Sequence, residues 1–396
     1  MKLLNNFKPY FVLVFLLLLS SCSSLGSLKF WGDDDEDEEI PAELYSISEN
    51  RFVERVWTVS NGNDISYGRL IPVVYEGQVF YINSSGYISS VDLDSGKLLW
   101  SKDTQDLVSS GLDVSFKTIS YGTLDGDIVA LDSKNGDEIW RSLTSSESLS
   151  PPVNSGSHII IQTVDGRISG YDLKSGKRDW FHQTVLPTLT LRGTSRPFID
   201  QGFVFTGFAS GKVAMFYPDS GAIRLELPIT LNEGKSELER IIDIDGKSVI
   251  VNDLLIAATY QGNISAINLR DGRPVWQEDI STVKDLTSNG NRVISVDSKD
   301  VIKAFGTATG AILWEQDDLK LRKLTSPASI SNLIAVGDFE GYIHLLNAQS
   351  GAFEGREKVS RDAISEIESV GNHLLISDTS GRVQKLSLNE DPEVFN

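Results

Sequence analysis

The feature that most constrains this chain is a fifteen-residue stretch that it repeats. Residues 86–100 read GYISSVDLDSGKLLW, and the pattern returns as GDIVALDSKNGDEIW at 126–140, GRISGYDLKSGKRDW at 166–180 and GNISAINLRDGRPVW at 262–276. Weaker copies start at Gly211, Asp300, Gly341 and Gly381, so successive units begin 40, 40, 45, 51, 38, 41 and 40 residues apart. A strand-rich unit of this period cannot bury its apolar faces alone and must stack on copies of itself, which is the pattern of a β-propeller. Eight copies predict eight blades.

Inside each unit the spacing is tighter than the period. A second glycine follows ten residues after each of the first seven leading positions: Gly96, Gly136, Gly176, Gly221, Gly272, Gly310 and Gly351. Four residues later come Trp100, Trp140, Trp180, Trp276 and Trp314, with Leu225 and Gly355 as exceptions. The leading residue is expected in a tight turn with positive φ, which a residue without Cβ adopts freely. The Asp-Ser-Gly type turn then reverses the chain and sets the Trp on the next strand. Rings of this size at one register position predict packing against the neighbouring blade, not ligand binding.

Apolar runs precede the leading positions at 79–82, 158–161, 203–206, 254–258, 292–296, 333–336 and 374–376. They are continuous and not alternating, as expected of strands covered on both faces. A shorter strand lies upstream, often beside a proline such as Pro72, Pro152, Pro197 or Pro327. Each unit is therefore a four-stranded antiparallel blade, and the fold class is all-β. The last unit lacks its fourth strand, whereas 55–59 (RVWTV) resembles a fourth strand arriving with no blade before it. Closing the ring with this N-terminal strand would leave no open sheet edge at the seam.

Residues 1–21 combine Lys2 and Lys8, an apolar run and small residues, the pattern of a secretory signal peptide. Leu19-Ser20-Ser21-Cys22 resembles the bacterial lipobox, in which an acylated cysteine becomes the new N-terminus. Cys22 is the only cysteine, so no internal disulfide is possible, and an unpaired exported thiol is the lesser alternative. In the sorting pattern Asp after the cysteine retains a lipoprotein in the inner membrane; Ser23 here points to the outer membrane, with the protein facing the periplasm. Residues 22–50 read as a tether, including seven consecutive acids at 33–39 that repel one another and stay solvated. The propeller is assigned to 51–389 and a short tail to 390–396. Removing 1–21 takes away two lysines and no acids, so the mature charge is 34 − 55 = −21. That balance argues against nucleic acid as a partner.

The two long intervals, 45 and 51, add residues at 183–196 and 227–247, both between the outer strand of one blade and the inner strand of the next. Connections of this kind emerge on one face and are neighbours, so the extra sequence should form one patch over blades three to five, where loops on a rigid scaffold carry function. The first connector contains Leu189-Thr190-Leu191-Arg192-Gly193 and the second Glu239-Arg240-Ile241-Ile242-Asp243-Ile244-Asp245. Apolar residues beside an arginine and paired acids have the composition of a protein interface. The alternative is that the leucines cover a blade edge and Arg192 pairs locally.

From the lipobox to the last strand the chain resembles the BamB family, propeller lipoproteins of the machinery that folds β-barrel proteins into the outer membrane of Gram-negative bacteria. The resemblance is carried by the LTLRG stretch at 189–193, by Asp317-Asp318-Leu319 with Leu324-Thr325-Ser326-Pro327, and by Val336-Gly337-Asp338 with Glu340-Gly341-Tyr342. It implies a non-catalytic scaffold that meets the periplasmic part of BamA, and through it the rest of the Bam complex, by an L-x-L-R loop and a nearby D-x-D. By motif these fall on Leu189, Leu191 and Arg192, and on Asp243 and Asp245. Unfolded outer-membrane proteins are a further expected partner, and outer-membrane lipid is met through Cys22. The repeat also resembles quinoprotein dehydrogenases, which hold pyrroloquinoline quinone with calcium, and a surface adhesin is a third reading. No cofactor or small-molecule substrate is expected, however: the four histidines are scattered away from metal-ligand spacing, and no nucleophile has a partner base.

Overall fold

The computed structural model describes residues 40–48, 50–60, 62, 69–191, 193–230 and 236–390. Among them every regular element is a strand, and the strands form eight antiparallel sheets of four. Seven blades are continuous in sequence, at 73–103, 113–143, 153–183, 198–228, 249–280, 287–316 and 328–358. The eighth takes three strands from 364–390 and its fourth from Arg51–Ser60. This strand pairs with the C-terminal strand in a register that sets Val53 opposite Leu388 and Trp57 opposite Lys385, so the expected closure is the one found.

The second and third strands of each blade are buried on both faces. Blade two shows why apolar composition alone misses one of them: Thr118–Gly122 reads Thr-Ile-Ser-Tyr-Gly yet is wholly buried. Its Tyr121 hydroxyl donates to Asp106 at 2.6 Å, which satisfies the polar end of a ring otherwise in the core. The prolines noted above stand immediately before the short first strands Val73–Tyr75, Val153–Asn154, Phe198–Asp200 and Ala328–Ile330.

The tryptophans hold the seams between blades. The indole Nε1 of Trp140 donates to the Leu173 carbonyl at 2.8 Å, Trp180 to Pro218 at 2.8 Å, Trp276 to Thr307 at 2.7 Å and Trp314 to Ala348 at 3.0 Å, each acceptor lying in the next blade. Trp57, on the strand that closes the ring, makes the same bond from blade eight to the Leu93 carbonyl of blade one at 3.0 Å. The glycine ten residues into each unit has a double reason. At Gly310, φ is +73° and a Cβ would come within 2.6 Å of the Trp276 ring, so the turn and the seam both require its absence. Asp300 stands at the leading position of blade six with φ +61°. Its carboxylate takes Lys284 Nζ at 2.5 Å and the Lys323 N–H at 2.7 Å, which offsets the strained backbone. Blade five departs from the expected turn, because the positive φ falls on Gln261 and not on Gly262.

Both exceptions to the Trp position have a local cause. At Gly355 the space is filled by the Arg51 carbonyl, where the N-terminal strand enters. At Leu225 the residue packs in the core of blades four and five. Residues 41–48 and 50, tether by composition, run along blade seven: Ala42 N–H donates to the Lys320 carbonyl at 3.0 Å and Asn50 N–H to the Glu354 carbonyl at 2.8 Å. Between them Arg356 donates to the Tyr45 carbonyl at 2.6 Å, and the Tyr45 hydroxyl to Asp318 at 2.6 Å. Cys22 and the acids at 33–39 lie outside the described residues.

Ion pairs cross the ring axis. Arg69, ahead of blade one, binds Asp285 of the connector entering blade six at 2.5 Å and Glu366 of blade eight at 2.9 Å. Arg196, ahead of blade four, reaches Glu368 of blade eight at 3.3 Å. Burial would raise the Asp285 carboxyl, but Arg69 overrides it and holds the group below its ordinary value.

Candidate functional site

The connector leaving blade three begins at Thr184, whose N–H donates to the Gly166 carbonyl at 3.0 Å. The next connector begins at Ile229, bonded in the same way to Gly211 at 2.9 Å. Both therefore rise on the face that bears the turns between second and third strands, where the long intervals predict one patch. The two connectors meet. The Leu191 N–H donates to Asp243 Oδ2 at 2.6 Å, and Gly193 lies so near Asp245 that a Cβ there would come within 2.6 Å of the carboxyl carbon.

Alternation along the second connector sorts its residues. Ile242 and Ile244 are buried and fill space that glycines leave open: a Cβ at Gly211 would meet the Ile242 side chain at 2.7 Å, and one at Gly207 the Ile244 Cβ at 2.7 Å. These two isoleucines are propeller core and not surface anchors. Asp243 and Asp245, one residue out of phase, are thereby turned under the 189–193 loop. The Tyr260 N–H fixes the backbone by donating to the Asp243 carbonyl at 2.9 Å.

The electrostatics of the pair are unusual. Asp243 is 1 % exposed and its Oδ1 is buried without a hydrogen-bond partner. Burial, then the like charge of Asp245, push its carboxyl up to about 7 against the opposing Leu191 N–H. Burial raises Asp245 to about 6. The two connectors also expose apolar side chains among their polar ones: Leu189 is 41 % exposed, and Val185, Leu186 and Leu238 are exposed as well. Leu191 is half-buried and lines a crevice with Leu186, Thr190, Ile244 and Asp245. Arg192 lies outside the described residues. Val185, Leu186 and Leu238 escaped the sequence reading because no motif singles them out, although their apolar character within polar connectors was a usable signal.

Fold and site together define a closed eight-bladed propeller with a candidate composite surface, where two long connectors interlock over blades three to five. A family model described as outer membrane protein assembly factor BamB matches residues 84–300 and 281–384. The chain belongs to the BamB family. The protein of that name from Salmonella typhimurium is 35 % identical over 384 residues, covering 93 % of this chain and 96 % of the relative. The crystal structure of BamB from Moraxella catarrhalis superposes with a TM-score of 0.79 at 28 % identity, over 85 % of this chain and all of that one. Quinohemoprotein alcohol dehydrogenase from Comamonas testosteroni reaches a TM-score of 0.65 at 12 % identity, over 85 % of this chain and 76 % of that one; this likeness is one of fold alone.

Proposed function

We propose that this chain is a non-catalytic scaffold in the assembly of outer-membrane β-barrel proteins. It is held by acyl groups on Cys22 at the periplasmic side of the outer membrane and binds the periplasmic part of BamA, through which it joins the rest of the Bam complex and comes near unfolded barrel proteins. The observation that carries the binding face is the interlock of Leu191 with Asp243. It holds an apolar loop out to solvent over two raised carboxyls, in the manner of an interface whose apolar centre excludes water around a few charges. Family membership supports the assembly role. The likeness in fold to a quinohemoprotein enzyme supports no activity here.

Co-purification from detergent-solubilised outer membranes tests the reading, with wild type beside Leu189→Asp and Arg192→Glu. The barrel-forming subunit comes down with wild type and is depleted with both variants, while their thermal transitions stay unchanged. Equal recovery with all three proteins would remove this face from the interface. Recovery of no such subunit with wild type would remove the scaffold role.

A further inference from the structure

An open cleft at the rim of blades seven and eight is lined by Arg55, Thr58, Lys358, Val359, Ser360, Arg361, Arg382 and Gln384 and has a volume of about 490 Å³. Four of these residues are cations and none is an acid, in a chain whose formal net charge is −19. Among the described residues the Arg55 guanidinium is bonded to neutral acceptors, Gln384 Oε1 at 2.8 Å and the Val359 carbonyl at 2.9 Å. A bulge between Arg55 and Trp57 sets its register in the closing strand. Lys358 stands with its ammonium 5.1 Å from the Tyr342 ring centre, and both Lys358 and Arg361 are exposed. Arg382 is tied to acids, Asp378 at 2.9 Å and Asp362, and among the described residues no ion pair is formed by the other three.

The position of the cleft matters as much as its charge. Val359 and Ser360 donate to the Gly341 carbonyl at 3.0 and 3.2 Å, so the cleft sits on the turn between the second and third strands of blade seven. Glu340 of that same turn is bound by Arg322, which also donates to the Ala42 carbonyl at 2.8 Å. The chain therefore joins the propeller beside the cleft. Eighteen residues lie between Cys22 and Pro41, and even fully extended this stretch spans about 60–70 Å. A body this acidic is repelled by an anionic bilayer surface unless it presents a cationic face to it.

We propose that this cleft binds the phosphate-bearing headgroups of anionic phospholipid, so that the blade-seven rim rests on the membrane while the connectors over blades three to five remain open to the protein partner. The inference rests on the lipid-anchored reading of Cys22, but its test does not need the anchor.

The full chain from residue 22, carrying Cys22→Ser and made without acylation, is mixed with vesicles of phosphatidylcholine alone or of equal parts phosphatidylcholine and phosphatidylglycerol, and bound protein is read by flotation. It floats with the anionic vesicles and not with the neutral ones. Lys358→Glu with Arg361→Glu lowers flotation by about tenfold or more, and rising salt does the same. A control pair of equal charge change, Lys97→Glu with Lys174→Glu in turns of blades one and three, stays within about twofold of wild type, as expected for sites beyond a Debye length. Equal flotation on both vesicle types, equal loss with the control pair, or no flotation at all overturns the proposal. So does a rise in the wild-type thermal transition with inorganic phosphate in the absence of vesicle binding, which would make this a site for free phosphate. An absence of acyl chains on Cys22, read by mass spectrometry of the protein isolated from membranes, would overturn the anchor separately.

Discussion

Asp243→Asn should make this protein more stable at slightly alkaline pH and weaker in its proposed function. The carboxyl of Asp243 is raised from 3.8 to about 7 because it is buried beside Asp245. A group raised in the folded state contributes stability that is fully present below its unfolded value and is lost as pH rises through the folded one. The window here runs from about pH 4 to about pH 7. Each unit is worth ~1.4 kcal/mol, so roughly three units give an upper value of about 4 kcal/mol at full ionisation. Asparagine keeps an oxygen that can accept the Leu191 N–H now bonded at 2.6 Å, and it carries no charge. The stability difference, variant minus wild type, should be near zero at pH 4.5 and reach about 2–4 kcal/mol in favour of the variant at pH 8, seen as a Tm gain of several degrees. Taking the difference matters, because Asp285, Asp338 and Asp378 are held below their ordinary values and weaken both proteins as pH falls. A difference that does not change with pH, or a variant less stable at pH 8, would refute the argument. Loss of BamA capture by the stabilised variant would show that the chain retains a destabilising acid for binding, the usual trade at functional sites.

Three further perturbations test the frame. Gly310→Ala should cost about 3 kcal/mol or more, since the added Cβ meets the Trp276 ring at 2.6 Å. Gly202→Ala, also at positive φ but with nothing within 4 Å, should cost only about 1 kcal/mol; equal Tm losses would deny the seam role of the repeat glycine. Trp140→Phe loses an indole bond to Leu173 worth about 1 kcal/mol, whereas Trp100→Phe removes a buried Nε1 that has no acceptor and should be neutral or stabilising. Chemical denaturation of the two variants decides this, and the reverse order would refute it. Arg356→Ala should release the segment around Tyr45, so that chymotrypsin cleaves there faster than in wild type while the propeller stays intact; unchanged cleavage would mean that the remaining contacts suffice.

The fold was legible because one constraint recurs in every blade. The glycine of one unit, with positive φ, and the tryptophan of the preceding unit are the two sides of one seam, so their joint recurrence at the repeat period reports blade-to-blade packing directly. The Trp57 bond to Leu93 shows that even the ring closure was written in that grammar, although its two strands lie at opposite ends of the chain. What stayed hidden was set by tertiary surroundings. Thr118–Gly122 is polar by composition and buried only because two blades cover it. Residues 41–48 and 50 carry no repeat, and what they bind lies more than two hundred and seventy residues away.

The meeting of the two long connectors was legible in position but not in chemistry, and the reason lies in the alternation Ile242-Asp243-Ile244-Asp245. From sequence, two isoleucines and two acids read equally well as exposed anchors and exposed charges. The propeller decides between these by leaving cavities at Gly207 and Gly211 that only the isoleucines fill. Once they are seated, the backbone phase drives both carboxyls beneath the 189–193 loop, where one oxygen of Asp243 finds no partner. The core packing of blade four thus imposes the unfavourable burial of charge on the connector above it. In the proposed complex a cationic side chain brought to that face by the partner would recover part of this cost, and the strained acid pair would then serve as a source of binding energy.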